Sequence, residues 1–119
     1  MSSAPETQLG KTRQQSVSVV ALGMEQSTFN ILQSFFNSKY NKYTLTRENS
    51  AEIAILDMDG LNAATLLQHH KAEFPARPRI LLSVRKIETD EEITVQKPIN
   101  VVALTRALSN AVLQINPCG

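Results

Sequence analysis

Ile53-Ala54-Ile55-Leu56-Asp57-Met58-Asp59-Gly60 runs four apolar residues into an acid, sets a second acid two positions later and closes on a glycine. A short apolar run bounded by turn residues predicts a fully buried strand of an α/β sheet. The carboxyl end of such a strand is where these folds place ligands and chemistry. Asp57 is therefore the residue from which the rest of the chain is read.

Upstream, Ser16-Val17-Ser18-Val19-Val20-Ala21-Leu22 is a β-branched run that predicts a first strand, stopped at Gly23. A helix is expected over residues 26–38, with Ser27 or Thr28 as its cap. Thr28, Ile31, Leu32, Phe35 and Phe36 share its inner face at helical spacing, which predicts core packing. Tyr40-Asn41-Lys42 turns the chain, and Tyr43-Thr44-Leu45-Thr46 alternates as a strand does. Only residues 47–52 then precede Ile53, fewer than the dozen or so that a helical crossover between parallel strands takes. Two connections are open: a stretched, helix-free crossover, or antiparallel pairing of the second strand with the third.

Downstream, Asn62 to Glu73 predicts a helix with Ala64, Leu66, Leu67 and His70 toward the core, ended by Phe74-Pro75 and Arg77-Pro78. Arg79-Ile80-Leu81-Leu82-Ser83 reads as a buried strand ending in a hydroxyl. Residues 84–93 read as a charged loop or a single helical turn, and Thr94-Val95-Gln96 as a short strand. Asn100 then caps a last helix that faces inward with Val101, Leu104, Leu108, Ala111, Val112 and Ile115. The order β-α-β-β-α-β-β-α predicts an α/β three-layer sandwich around a mainly parallel five-stranded sheet. Residues 1–14 are expected to form a mobile polar tail, residues 15–115 one domain, and residues 116–119 a tail or the start of a linker.

Composition bounds the function. The 119 residues are 42% hydrophobic and 19% charged, which predicts one globular domain. Twelve basic residues against eleven acidic ones leave a formal charge of +1, so no overall field points to nucleic acid. No apolar run is long enough to cross a bilayer, and no membrane association is expected. The single cysteine, Cys118, excludes an internal disulfide, fits a reducing compartment and has no visible activator. A cytoplasmic location is the resulting expectation.

Asp57, Ser83 and Lys97 each end an apolar strand. If those strands are parallel neighbours, a carboxylate, a hydroxyl and an ammonium converge on one sheet edge. That trio suits phosphoryl transfer, with the carboxylate as nucleophile and the other two steadying charge. At this point the chain resembles the receiver domains of bacterial two-component response regulators, from about Ser16 to Gln114. Lys97-Pro98-Ile99 with Leu104 and Leu108 is similar to the family's Lys-Pro-Phe and the helix behind it. Ile80-Leu81-Leu82-Ser83 is similar to its fourth strand with the Ser/Thr switch residue. Ala54-Ile55-Leu56-Asp57 is similar to its third strand with the phosphoacceptor aspartate.

The resemblance implies a receiver or flavodoxin-like fold in which the second and fourth helices are lost or reduced. It also implies Mg²⁺ held beside the phosphoacceptor, for which Asp57, Asp59 and Glu25 are the candidate ligands. Yet the family's acidic pair after the first strand is replaced by Gly23-Met24, and only Glu25 lies nearby. A dianionic phosphoryl group set against a carboxylate needs that metal charge. The expectation is therefore an atypical receiver, a signalling module with no enzymatic activity of its own, no resident cofactor and weak or absent phosphorylation at Asp57. It would act on a protein partner or an attached output domain, and exposed faces of so small a domain are commonly closed by homodimerisation.

Three other readings carry their own signals. A functional phosphoacceptor receiver is the first. The second is a haloacid dehalogenase-type phosphatase, whose opening motif Asp57-Met58-Asp59-Gly60 resembles; but that family needs a later acidic motif, and no Asp or Glu follows Glu92. The third makes Asp57, Asp59 and Lys97 a loop-anchoring salt bridge in an interaction module. Adjacent His69 and His70 lack the i, i+4 spacing of a helical metal pair. Arg77 and Arg79 are expected at the opposite end of the sheet from Arg85 and Lys86, which argues against a basic nucleic-acid patch.

Overall fold

The computed structural model describes residues 17–38, 43–46 and 50–115. The expected tails, the Tyr40-Asn41-Lys42 turn, Ser16 and residues 47–49 lie outside them. In chain order the elements are β1 (Val17–Leu22), α1 (Gln26–Ser38), β2 (Tyr43–Thr46), β3 (Ile53–Asp57), α2 (Ala63–Glu73), β4 (Arg79–Ser83), β5 (Ile93–Gln96) and α3 (Val101–Ile115). All four strand pairings are parallel, and the order is β2-β1-β3-β4-β5. This is the flavodoxin-like 2-1-3-4-5 arrangement.

Because β1 stands between β2 and β3, antiparallel pairing of the second strand with the third is ruled out. Register explains how so short a connection suffices. Thr46, the last residue of β2, pairs with Val20, and Ile53, the first of β3, pairs with Val19. The two ends lie at nearly the same height on the sheet, with one strand between them, so no strand length has to be retraced. Two strand spacings amount to about 10 Å, which six residues at about 3.3 Å each cover with slack. Glu52 ends the crossing by donating its N–H to the carbonyl (3.0 Å) and the hydroxyl (3.1 Å) of Ser18 on β1.

The sheet has two unlike faces. One carries Val19, Tyr43, Ile53, Ile55, Ile80, Leu82 and Val95 under α1 and α3, with Leu32, Phe36, Leu104, Ala107, Leu108 and Ala111 filling the gap. The other buries only Val20, Ala54, Leu56 and Leu81, covered by Leu66 and Leu67 of α2 and by Ile87 from the β4–β5 loop. Residues 84–92 form no helix, so a loop joins β4 to β5 on that side, as the expected reduction of the fourth helix implies.

Several inward-facing assignments change. In α1, Phe29 is buried while Ile31 is 50% exposed, and Ser27 and Thr28 fall inside the first turn instead of capping it. In α2, Ala63 is buried and Ala64 exposed; in α3, Val101 faces out and Ala107 in. Each error comes from phasing a 3.6-residue repeat without knowing which strand the helix crosses. Asn100 does cap α3: its Oδ1 accepts from the Val102 (2.8 Å) and Ala103 (3.1 Å) amides.

Candidate functional site

Parallel pairing carries β3, β4 and the end of β5 to the same sheet edge, and the three strand-end residues meet there. Met58 N–H donates to the Leu82 carbonyl (2.8 Å), and Lys97 N–H donates to the Ser83 carbonyl (2.8 Å). These bonds fix the chain immediately after each strand, so the side chains beyond are aimed by the sheet itself. Asp57 is only 5% exposed although it is an acid at a strand tip. Its Oδ1 accepts the backbone N–H of Asp59 at 2.9 Å, and its Oδ2 accepts Lys97 Nζ at 2.8 Å.

Lys97 is shared. Its ammonium also lies 3.0 Å from Oδ2 of Asp59, so one cation bridges the two carboxylates. Asp59 collects two more donors: the Ser83 hydroxyl on Oδ1 at 2.7 Å and the Val84 N–H on Oδ2 at 3.0 Å. Burial works against charge on both Asp59 and Lys97, yet the contacts win on each. Hydrogen bonds from Ser83, Lys97 and Val84 hold the Asp59 carboxyl below the usual aspartate range. Hydrogen bonds and attraction from Asp57 and Asp59 hold the Lys97 ammonium above the usual lysine range.

The loop beyond β4 is tied as firmly. Arg85 N–H donates to Ser83 Oγ at 3.1 Å, and the Gln96 side-chain amide donates to the Val84 carbonyl at 3.1 Å. A pocket of about 280 Å³ opens over the site, lined by Gly23, Glu25, Thr28, Asp57, Asp59, Gly60 and Lys97. All the residues expected at the site are thus present: Asp57, Asp59, Ser83 and Lys97 in direct contact, and Glu25 on the wall.

The Asp57 and Asp59 carboxylates that would hold a divalent metal are already engaged by protein donors. Among the described residues, no group of three or more His, Cys, Asp or Glu side chains converges closely enough to hold an ion. The ammonium of Lys97 already stands between the two carboxylates that would bind one. Gly23, on the wall of the same pocket, has φ +72°, a conformation that side chains rarely adopt, so an acid at that position would be strained.

Two participants were invisible to side-chain reasoning. The Val84 amide is a backbone group. The other is the Ser83 hydroxyl's bond to Asp59: the ion pair of Asp59 with Lys97 is the one the loop-anchoring reading expects, but a strand-end Asp-x-Asp does not reveal the Ser83 and Val84 donors that also face it.

A second polar cluster lies at the opposite end of the sheet. His70 of α2 is buried, with Nε2 facing Arg77 Nη1 at 3.3 Å and Nδ1 lacking a hydrogen-bond partner. Arg77 lies 3.7 Å above the Phe74 ring, and Arg79 Nε reaches both oxygens of Glu92 at 3.0 and 3.1 Å. Burial first, then the charges of Arg77 and Arg79, push the His70 imidazolium down to about 4. His70 is therefore a neutral core residue. Comparison with protein families and with curated proteins finds no family model and no curated protein that matches this chain.

Proposed function

We propose that this chain is a signal-transduction module of the atypical receiver type, working through protein–protein contact, with phosphorylation at Asp57 weak or absent. The observation that carries the reading is the Lys97 ammonium, neutralised from both sides by Asp57 and Asp59. A phosphoryl donor entering the pocket meets the carboxylates of Glu25, Asp57 and Asp59 against one ammonium. Each like-charge pair at about 4 Å costs about 4 kcal/mol at an effective dielectric constant of about 20. Among the described residues no cluster of metal ligands offsets that repulsion, so the polar residues serve better as an anchor for the loops than as a reaction centre.

A phosphatase is less well supported. Asp59 would have to deliver a proton as general acid, and its three donors favour the ionised form instead. For partner contact, the outer side of α3 is the best candidate. Val101, Val102 and Leu113 are exposed there, and Arg106 is the one charged residue in the helix. A protein partner, an attached output domain or a second copy of the chain could use that surface. Among the described residues, no helix is long and apolar enough to cross a membrane.

The test is a titration of the ¹⁵N-labelled chain with beryllofluoride or acetyl phosphate in the presence of Mg²⁺. Shifts at Asp57, Ser83 and Lys97 should stay small and unsaturated. Saturable shifts centred on Asp57 at sub-millimolar metal would instead make this a working phosphoacceptor.

A further inference from the structure

We infer that the Asp59 carboxylate is a built-in ligand, occupying an oxyanion cradle formed by the Ser83 hydroxyl, the Val84 amide and the Lys97 ammonium, and so holding the loop after β4 in its closed position without any external anion. The regulatory part of this inference rests on the interaction-module reading; the cradle itself rests on geometry.

The three donors come from two parts of the chain: Ser83 and Val84 follow one another at the end of β4, and Lys97 follows β5. They converge on the two oxygens of one side chain at 2.7, 3.0 and 3.0 Å. A hydroxyl, a backbone N–H and an ammonium aimed at one point form the donor set that recognises a tetrahedral oxyanion such as phosphate. Here the two-residue spacing from Asp57 lets the chain supply the oxyanion itself. The Asp59 N–H bonds back to Asp57 Oδ1 at 2.9 Å, fixing the turn that carries the carboxylate into the cradle.

The consequence reaches the surface. Ser83 Oγ donates to Asp59 and accepts from Arg85 N–H, while Val84 N–H is held by Asp59 and its carbonyl by Gln96. Asp59 is thus the pin for Ser83, Val84 and Arg85 together. The pinned backbone presents the Val84 side chain, 59% exposed, at the rim of the site. A loop that an incoming anion could have switched is instead held permanently in one state.

Amide hydrogen exchange and phosphate titration on the whole chain test this, with circular dichroism confirming that each variant is folded. In the wild type the Val84 amide should be protected, and inorganic phosphate should leave the spectrum unchanged. Asp59→Ala should lower Val84 protection by about tenfold or more, equivalent to about 1.4 kcal/mol. In Asp57→Asn/Asp59→Ala, which also removes the repelling carboxylate, inorganic phosphate should bind saturably and restore that protection.

Asp59→Asn keeps the side-chain volume and should also weaken Val84 protection, so it serves if the alanine variant does not fold. Unchanged Val84 protection would overturn the inference. So would a double variant that takes no phosphate, a wild type that takes it equally well, or unfolding of every Asp59 variant. Failure here leaves the proposed function standing, whereas metal-dependent phosphorylation of wild-type Asp57 would overturn that function and leave the cradle.

Discussion

His70 should make this fold lose stability as pH falls from 6.5 to about 4. The ring is buried under Phe74 and Arg77, with Arg79 nearby, and its folded value drops from 6.5 to about 4. Within that interval the unfolded ring binds a proton and the folded ring does not, so acid favours unfolding. The contribution is fully present above pH 6.5, is lost as pH falls, and stops changing once the folded ring protonates too. The gap between the two values corresponds to on the order of 3 kcal/mol, a large fraction of the roughly 5–15 kcal/mol that holds a typical domain together. Urea unfolding at steps across the interval measures it, with His70→Leu as the control. Leucine fills similar space and removes the unpartnered Nδ1, so the variant should be comparably stable at neutral pH and nearly flat across the same interval. If His70→Leu lost stability with acid as steeply as the wild type, or if NMR showed the folded His70 ring titrating near 6.5, the reasoning would fail.

Two further perturbations probe the site. Lys97→Met leaves Asp57 and Asp59 facing each other without their shared cation and should cost about 2–3 kcal/mol, somewhat below the range for a fully buried pair because Asp59 and Lys97 reach solvent. Adding Asp57→Asn should recover much of that loss, and chemical denaturation of the four-member cycle reads the coupling. Gly23→Asp, which puts an acid back after β1, should not create a metal site; it should destabilise by about 1–2 kcal/mol because φ is +72° there. A thermal melt with and without Mg²⁺ checks this, and stabilisation by the ion would contradict it.

The sheet was largely legible because strands buried on both faces are written as unbroken apolar runs. Ile53-Ala54-Ile55-Leu56 and Ile80-Leu81-Leu82 declared themselves, and their polar ends gave Asp57 and Ser83. Lys97 was equally legible, since a lysine just after a short strand and before proline has few other places to go. The ion pair of Asp59 with Lys97 was one of three readings left open, and its bonds to Ser83 and Val84 were not legible, because they depend on the Val84 backbone and on the distance between two loops. The β2–β3 link stayed ambiguous because its solution is one of register: β2 ends level with the start of β3, a relation set by tertiary pairing and absent from local pattern.

The thin covering of one sheet face, by contrast, was written in the strands themselves. Parallel partners share a face, so Thr44 and Thr46 on β2, and Thr94 and Gln96 on β5, point to the side that α2 covers. Their neighbours Tyr43, Leu45, Ile93 and Val95 point to the side covered by α1 and α3. An edge strand that alternates apolar and polar residues is covered on one face only, and both edge strands of this sheet alternate while β3 and β4 do not. One helix, α2, therefore suffices for that face, because only its central strands carry apolar side chains there. The thin coverings are consequently not a torn hydrophobic surface waiting for a partner. Among the described residues, the large apolar side chains left exposed lie on the outer side of α3, at Ile31 of α1, and on loops at the rim of the site, at Leu61 and Val84. Partner recognition should follow those positions, and charge placed at Val102 or Leu113 should disturb it while charge placed at Thr44 or Thr94 should not.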